Sequence, residues 1–160
     1  ISPSNIKNDR FNLFNNTYLS YEKYFESPEI MIFENDIILV KTGSTIGKTA
    51  IIPQGTPEMT INPQLVVLKN VILFPKFLYY QTTCRFIKES FDVEQTGSTT
   101  PTISQEKVNE FPIVKPTYEQ QQQIVEYLDE QTSKIDATIN KEEKRIISED
   151  KESRIIESRL

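Results

Sequence analysis

The positions of the helix-breaking residues divide this sequence sharply in two. All nine prolines and all four glycines lie at or before Pro116, and the stretch from Thr117 to Leu160 contains neither. Proline and glycine mark turns and interrupt helices, so a long segment without them can form one continuous helix. We therefore predict a folded domain at residues 1–116 and a long helix at residues 117–160.

The first part has the pattern of a small mixed domain. Short apolar and β-branched runs at residues 37–40, 50–52 and 64–68 are separated by turn residues, which predicts mostly antiparallel strands. Pro75 suits the first position of a helix that reaches about Ser90, and Ser104 suits the N-cap of another short helix. The buried face predicted for the longer helix consists of Phe77, Leu78, Phe86 and Ile87.

The second part begins with a helix-start signal. Thr117 and Gln120 match the T-x-x-Q capping box, and apolar residues then recur at seven-residue steps, as in a coiled coil. Glu142 and Glu149 interrupt this seam and favour an antiparallel partner that carries Lys or Arg; a frayed tail after about Ile147 is the alternative. The predicted seam residues are Val125, Leu128, Thr132, Ile135, Ile139, Ile146, Ile156 and Leu160. The fold class is therefore α+β, with mostly antiparallel strands and short helices followed by one long coiled-coil-like helix.

The available residue types exclude most catalytic machinery. The chain has no histidine and one cysteine, Cys84, which excludes an internal disulfide, a Cys/His zinc site and a histidine-based triad. The segment 43–49 resembles a phosphate-binding loop, but three residues separate its glycines where four are needed, and a strand pattern follows. The Asn62-Pro63-Gln64 segment lacks the second proline and the aromatic residue of amino-methyltransferases. We predict a non-catalytic chain that binds no metal or cofactor.

The hydropathy of the chain and its first ten residues indicate where in the cell the protein is located. No run of about 18 apolar residues occurs, and residues 1–10 lack the order of a signal peptide, which predicts a cytoplasmic, soluble protein. The chain begins with Ile1 rather than Met, so a piece of a longer chain is one possibility.

Three polar segments are candidates for contact with DNA. Residues 41–48 and 95–104 combine hydroxyls, glycines and backbone amides able to contact phosphates; the alternative is tight turns whose hydroxyls satisfy their own backbone. Residues 7–23 add asparagines, which can read adenine edges, and tyrosines, which can pack on sugar or base. The candidate DNA-binding residues are Lys7, Arg10, Asn15, Asn16, Tyr18, Lys41, Ser44, Thr45, Lys48, Ser98 and Thr99.

Several segments carry a family resemblance when they are taken in order. They are N-D-I-I-L-V at 35–40, K-T-G-S-T-I-G-K at 41–48, G-S-T-T-P-T-I-S at 97–104, F-P-I-V-K-P at 111–116, E-Q at 119–120 and I-V-E-Y-L-D at 124–129. Their order and spacing resemble the specificity subunits of type I restriction-modification enzymes over nearly the whole chain.

The resemblance implies a DNA target-recognition domain followed by a conserved helix for dimerisation or spacing and for docking of the methyltransferase subunit. In the family this unit usually occurs twice per chain, with the two helices antiparallel, so one copy implies a fragment or a half-subunit that dimerises. The implied partners are double-stranded DNA, methyltransferase subunits, restriction subunits and a second copy of the repeat. S-adenosylmethionine, ATP and Mg are implied for the partner subunits and not for this chain.

The net charge of −5 is evidence against a nucleic-acid binder, which usually carries a basic face. Local placement of Lys and Arg near phosphates matters more than their sum, so the charge does not exclude the hypothesis. The alternative function is a helical scaffold or protein-interaction module without its own DNA specificity. A stand-alone enzyme is disfavoured by the missing catalytic groups.

Overall fold

The structure, a computed structural model, describes residues 1–14, 16–94 and 100–157, with residues 92–94 and 150–157 described as backbone only. The chain separates into two compact units, Ile1–Gln121 and Gln122–Leu160. The strands are β1 (Ile6–Lys7), β2 (Arg10–Phe11), β3 (Met31–Ile32), β4 (Ile37–Val40), β5 (Thr49–Ile51), β6 (Met59–Thr60) and β7 (Leu65–Leu68). The helices are α1 (Tyr21–Glu26), α2 (Pro75–Thr83), α3 (Arg85–Glu94), α4 (Gln105–Asn109) and α5 (Tyr118–Glu157), with single 3-10 turns at Pro3–Asn5 and Pro28–Ile30.

A three-stranded antiparallel sheet lies at the centre of the first unit. Its strand order is β5–β4–β7, and Ile38 on the middle strand faces Ala50 on one side and Val67 on the other. Two further antiparallel pairs, β1–β2 and β3–β6, are each two residues long on either strand. The predicted α+β class with antiparallel strands at the three apolar runs is confirmed.

Strand β4 is apolar throughout because both faces of the sheet are covered. Ile38 and Val40 belong to one hydrophobic cluster, together with Ala50 and Leu65. Leu39, between them on the strand, points to the opposite face and belongs to a second cluster with the α3 residues Ile87 and Phe91. Successive side chains of a strand alternate between faces, so a strand covered on both sides reads as a continuous apolar run.

The helix predicted from Pro75 to about Ser90 is divided in two. Cys84 separates α2 from α3 with an extended backbone (φ −69°, ψ 152°). The break changes the helical phase, so Phe77, Leu78 and Ile87 are buried as predicted, whereas Phe86 is 62% exposed. The prediction that Phe86 lies on the buried face was wrong, because one helical period cannot be extended across an extended residue.

The predicted helix starts are confirmed by their hydrogen bonds. The Ser104 hydroxyl accepts from the Lys107 amide at 3.2 Å at the start of α4. At the start of α5 the Gln120 amide donates to the Thr117 hydroxyl at 3.3 Å, and the Thr117 amide donates to the Gln120 side-chain oxygen at 3.0 Å. These reciprocal bonds are those of a capping box, and they fix where the long helix begins.

Candidate nucleic-acid interface

The segment between β4 and β5, residues 41–48, is a closed turn that we call the glycine loop. The Val40 amide donates to the Lys48 carbonyl at 2.8 Å, and the Gly47 amide donates back to the Val40 carbonyl at 2.9 Å. Gly43 and Gly47 have φ angles of +103° and +80°, which glycine adopts without strain. The strand β5 follows this loop directly, so the loop does not open a helix as a phosphate-binding loop must.

The glycine loop is joined to the second polar segment predicted from the sequence. The Gly43 amide donates to the Pro101 carbonyl at 2.9 Å, and the Ile103 amide donates to the Lys41 carbonyl at 2.9 Å. Thr42 and Thr102 form an antiparallel bridge between these two bonds. The structure therefore brings the two polar segments together; Ser98 and Thr99 lie outside the described residues.

The β1–β2 turn is fastened to the end of the glycine loop. Asn8 and Asp9 both have positive φ, +52° and +55°, in the tight turn between the strands. The Asp9 carboxylate accepts from the Thr49 amide at 2.8 Å and from the Lys88 ammonium at 2.8 Å. Lys88 also donates to the Gly47 carbonyl, and the Tyr79 hydroxyl donates to the Asp9 carbonyl at 2.7 Å. Asp9 therefore links the hairpin to β5, α2 and α3, and Lys88 links it on to the glycine loop.

The candidate cations lie on these connected elements. Lys7 and Arg10 face each other across the β1–β2 hairpin, and both are exposed. In the glycine loop Ser44 is exposed, while Lys41, Thr45 and Lys48 are half-buried. A bond from its own backbone amide and another from the Ser104 hydroxyl lower the pKa of Glu106, and the positive charge of Lys41 lowers it further. Lys41 therefore influences the first turn of α4 electrostatically.

Asn16 and Tyr18, two further candidate residues for DNA contact, have different neighbours from the candidate cations. The Asn16 side-chain amide donates to the Leu13 carbonyl at 2.8 Å, and its oxygen accepts from Asn5 at 3.1 Å. Tyr18 is 87% exposed and lines a separate hollow, together with Glu58. Asn15 lies outside the described residues.

Sequence reasoning missed Asn5, Asp9 and Lys88. Asn5 is 1% exposed, and its amide bridges the carbonyls of Asn12 at 3.1 Å and Phe14 at 3.0 Å, which shapes the segment that follows β2. The Asn8-Asp9 pair between two short apolar-polar runs is a hairpin signal that was available. Nothing in the sequence indicates that Lys88 reaches Asp9, since the two are far apart along the chain.

The predicted seam residues lie on α5. Val125 is buried, Leu128 and Thr132 are half-buried, and the Thr132 hydroxyl donates to the Leu128 carbonyl at 2.8 Å. The remaining described seam side chains are exposed: Ile135, Ile139 and Ile146. The side chain of Ile156 and the whole of Leu160 lie outside the described residues.

A metal-binding cluster and a membrane-spanning helix are both absent from the described part of the chain. No group of three or more Cys, Asp or Glu side chains is placed to hold a metal ion in residues 1–14, 16–94 and 100–157. No helix in the same residues has the length and apolar character needed to cross a membrane.

A small sheet domain that presents ordered polar loops and surface cations has the features of a module that recognises another macromolecule. The family follows from comparison with known proteins. The family model described as the type I restriction modification DNA specificity domain matches residues 1–147. The chain belongs to this family, which confirms the resemblance inferred from the order and spacing of its sequence segments.

The fold is also similar to part of a solved structure. The similar chain comes from a structure described as the structural basis underlying complex assembly and conformational transition of the type I R-M system. This chain matches it with a TM-score of 0.55 and 20% sequence identity. The match covers 66% of this chain and 28% of the solved chain, so this chain spans less than a third of the solved chain's length. At this identity the likeness supports the fold alone. No curated protein matches the sequence.

Proposed function

We propose that this chain is the specificity subunit, or a half-subunit or fragment of one, of a type I restriction-modification complex, and that its first unit reads one half of a bipartite DNA site. The observation that carries the proposal is the match of the DNA specificity domain over residues 1–147. We place the division between the recognition domain and the long helix at residues 116 and 117, where the capping box begins.

The glycine loop and the segment joined to it are the surface we propose for DNA contact. Hydroxyls, lysines and backbone amides that contact phosphates set the register of a protein on DNA. Ser44 is exposed at the loop tip, and Lys41 and Lys48 stand at its two ends. The Gly43 amide donates to Pro101 and the Thr49 amide to Asp9, which holds the backbone near both ends of the glycine loop. A backbone held in this way has less freedom to lose when DNA binds.

Lys7 and Arg10 extend this surface across the β1–β2 hairpin. The hairpin turn is bonded to Thr49, one residue beyond Lys48, so cations of the hairpin and of the loop belong to one connected region. We propose that they contact the phosphate backbone on either side of the base-reading contacts.

We do not propose Asn16 as a base-reading residue. Bidentate reading of adenine needs both the oxygen and the nitrogen of an asparagine side chain. Both atoms of Asn16 already bond within the protein, to Asn5 and Leu13. Its role in the structure is to hold the segment that follows β2.

In this proposal the long helix sets the spacing between the two halves of the DNA site and binds the partner chains. Exposed Ile135, Ile139 and Ile146 recur on one seam, and a second copy of the repeat or a homodimeric partner would cover them. Arg145 pairs along the helix with Glu142 at 3.1 Å and Glu149 at 3.6 Å, so the polar breaks of the seam are compensated in part within the helix. We propose that methyltransferase subunits and, through them, restriction subunits dock on the assembled pair.

The chain itself is not catalytic in this proposal. Methylation with S-adenosylmethionine, and cleavage with ATP and Mg, belong to the partner subunits. This chain determines where on the DNA the complex binds, and base flipping for methylation takes place in the assembled complex.

The contact surface is tested by the salt dependence of duplex binding, measured with the chain mixed with its methyltransferase subunit. Each lost phosphate contact lowers the slope of log affinity against log salt by about 1, so Lys41→Ala with Lys48→Ala should lower it by about 2. Affinity should fall by a similar factor on all duplex sequences. Lys115→Ala, an exposed lysine outside the proposed surface, is the matched control and should leave the slope unchanged. An unchanged slope in the double variant would remove both lysines from the surface.

A further inference from the structure

A second surface of the first unit has a different chemistry from the glycine loop. Within residues 13–33, large apolar side chains are exposed to an unusual degree, including Tyr18 at 87%, Tyr21 at 71% and Phe33 at 57%. Single exposed apolar residues are common, but contiguous exposed apolar patches mark interaction sites. This segment therefore needs an explanation beyond folding.

These side chains border two adjoining hollows, which we call together the tyrosine groove. The larger, about 370 Å³, is lined by Leu13, Tyr18, Leu19 and Tyr21, with Tyr24 and Glu58. The smaller, about 180 Å³, shares Tyr24 and Glu58 and adds Phe33 and Glu34. Tyr24 is itself buried, so it forms part of the floor that the two hollows share.

The groove is acidic where the glycine loop is basic. Among the residues that the structure describes, the charged side chains lining the two hollows are the carboxylates of Glu34 and Glu58. The Ile1 ammonium, which also lines the larger hollow, donates to the Thr60 carbonyl at 2.7 Å. Glu58 lines both hollows together with Tyr24. Burial, followed by the charge of Glu58, raises the pKa of Tyr24. On helix α1, which carries Tyr21 and Tyr24, the charge of Lys23 is offset by its pair with Glu26.

This chemistry favours one class of occupant. Carboxylates repel phosphates, so the groove is unfavourable for a nucleic-acid backbone. An arginine can stack on tyrosine faces and bond to a carboxylate at the same time, and a large apolar side chain can fill the rest of the larger hollow. A volume of about 370 Å³ is at the lower end of the range for ligand sites and is suited to an anchor of this kind.

We propose that the tyrosine groove is a docking site for a protein segment that carries an arginine next to a large apolar residue. The segment inserts its apolar side chain among Leu13, Leu19 and Tyr21, and its guanidinium binds Glu58. The tyrosine groove shares no residue with the proposed DNA surface, and its proposal does not depend on that surface.

The experiment is selection of displayed random 12-residue peptides on the full chain, followed by binding of the enriched peptides by fluorescence anisotropy. We expect enrichment of arginine beside Leu, Phe, Tyr or Trp. Leu19→Ser with Tyr21→Ser should weaken binding about tenfold or more, as loss of an anchor contact does. Glu58→Gln, which keeps the size of the side chain, should weaken the same peptides and remove the preference for arginine.

Phe86→Ser is the matched control, because Phe86, 62% exposed against 71% for Tyr21, is an aromatic residue on α3 that does not line the groove. Its peptide binding should equal that of the unchanged chain. The proposal is overturned if no peptide class is enriched, or if the groove variants bind the enriched peptides as well as the control does. It is also overturned if the groove variants instead lose binding of mixed-sequence single-stranded DNA, or lose self-association in sedimentation. Duplex selection is measured separately, so failure of peptide binding and failure of DNA reading are distinguishable.

Discussion

The two units of the chain use apolar residues in opposite ways. In the first unit Ile37, Ile38 and Val40 on β4 are fully buried between two layers of the same unit. In the second unit Ile135, Ile139 and Ile146 have the same kind of side chain but remain between 49% and 60% exposed. Branched apolar side chains are therefore buried in the core of one unit and remain exposed on the helix of the other.

The ion pairs show the same contrast. Lys88 and Asp9 are each less than a third exposed and are bonded to further groups of the glycine loop. Lys134 and Glu130 on α5 form an i,i+4 pair that is more than 60% exposed at both ends. The first pair connects distant parts of the sequence, whereas the second reinforces a helix locally. The ion pair of the first unit therefore joins separate elements of the fold, and that of the second lies within one helix.

The largest expected difference in the free energy of unfolding is between a variant of the buried Ile38 and a variant of the exposed Ile139. Ile38→Ala should lower the free energy of unfolding by about 2–5 kcal/mol, because it leaves a cavity in the centre of the sheet. Ile139→Ala should change it by less than about 0.5 kcal/mol in the monomer, since alanine favours the helix and little burial is lost. Urea unfolding followed by circular dichroism, at a concentration where the chain sediments as a monomer, measures both. If Ile38→Ala does not fold, Ile38→Val should still cost about 0.5–1.5 kcal/mol. Equal effects at the two positions would break the contrast.

The next effect concerns the attachment of the glycine loop to the core. A Cβ at Gly47 would lie 3.1 Å from the Phe91 ring, whereas a Cβ at Gly55 would meet nothing within 4 Å, and both residues have positive φ. Gly55→Ala should therefore show the backbone cost alone, about 1–2 kcal/mol. Gly47→Ala adds a steric cost and should reach about 2–4 kcal/mol. Thermal unfolding of the two variants compares them, and equal losses would mean that Phe91 does not hold the loop.

The smallest effect separates the two ion pairs. Lys88→Met should cost about 1–2 kcal/mol, because Asp9 loses a charged donor in a partly buried site. Lys134→Met removes an exposed helix pair and should cost about 0.3–0.5 kcal/mol. Denaturant unfolding at low and high salt measures both; similar values for the two would show that the Asp9 network adds no more than a surface pair.

The sequence predicted what is local, and it missed what depends on distant contacts. The three apolar runs, the Ser104 cap and the capping box at Thr117 were readable because each depends on neighbours along the chain. Phe86 was misplaced because the break at Cys84 carries no proline or glycine to announce it.

The candidate site was readable only in part. The segments around Gly43 and Pro101 were both identified as polar loops, but their pairing through Thr42 and Thr102 could not be inferred from either alone. The same holds for Asp9, whose partners come from β5, α2 and α3. Which residues contact DNA stays a prediction.

The most direct test of the central claim is selection from random duplex DNA by this chain mixed with its methyltransferase subunit, followed by sequencing of the retained duplexes. We expect enrichment of a short defined half-site, or of two inverted copies at a fixed spacing if the long helices pair. The Lys41→Ala and Lys48→Ala variant should retain less duplex but enrich the same sequence, because the two lysines are proposed to contact phosphates. A stable complex that retains duplexes without any enriched sequence would contradict the account and leave the long helix as the main functional element.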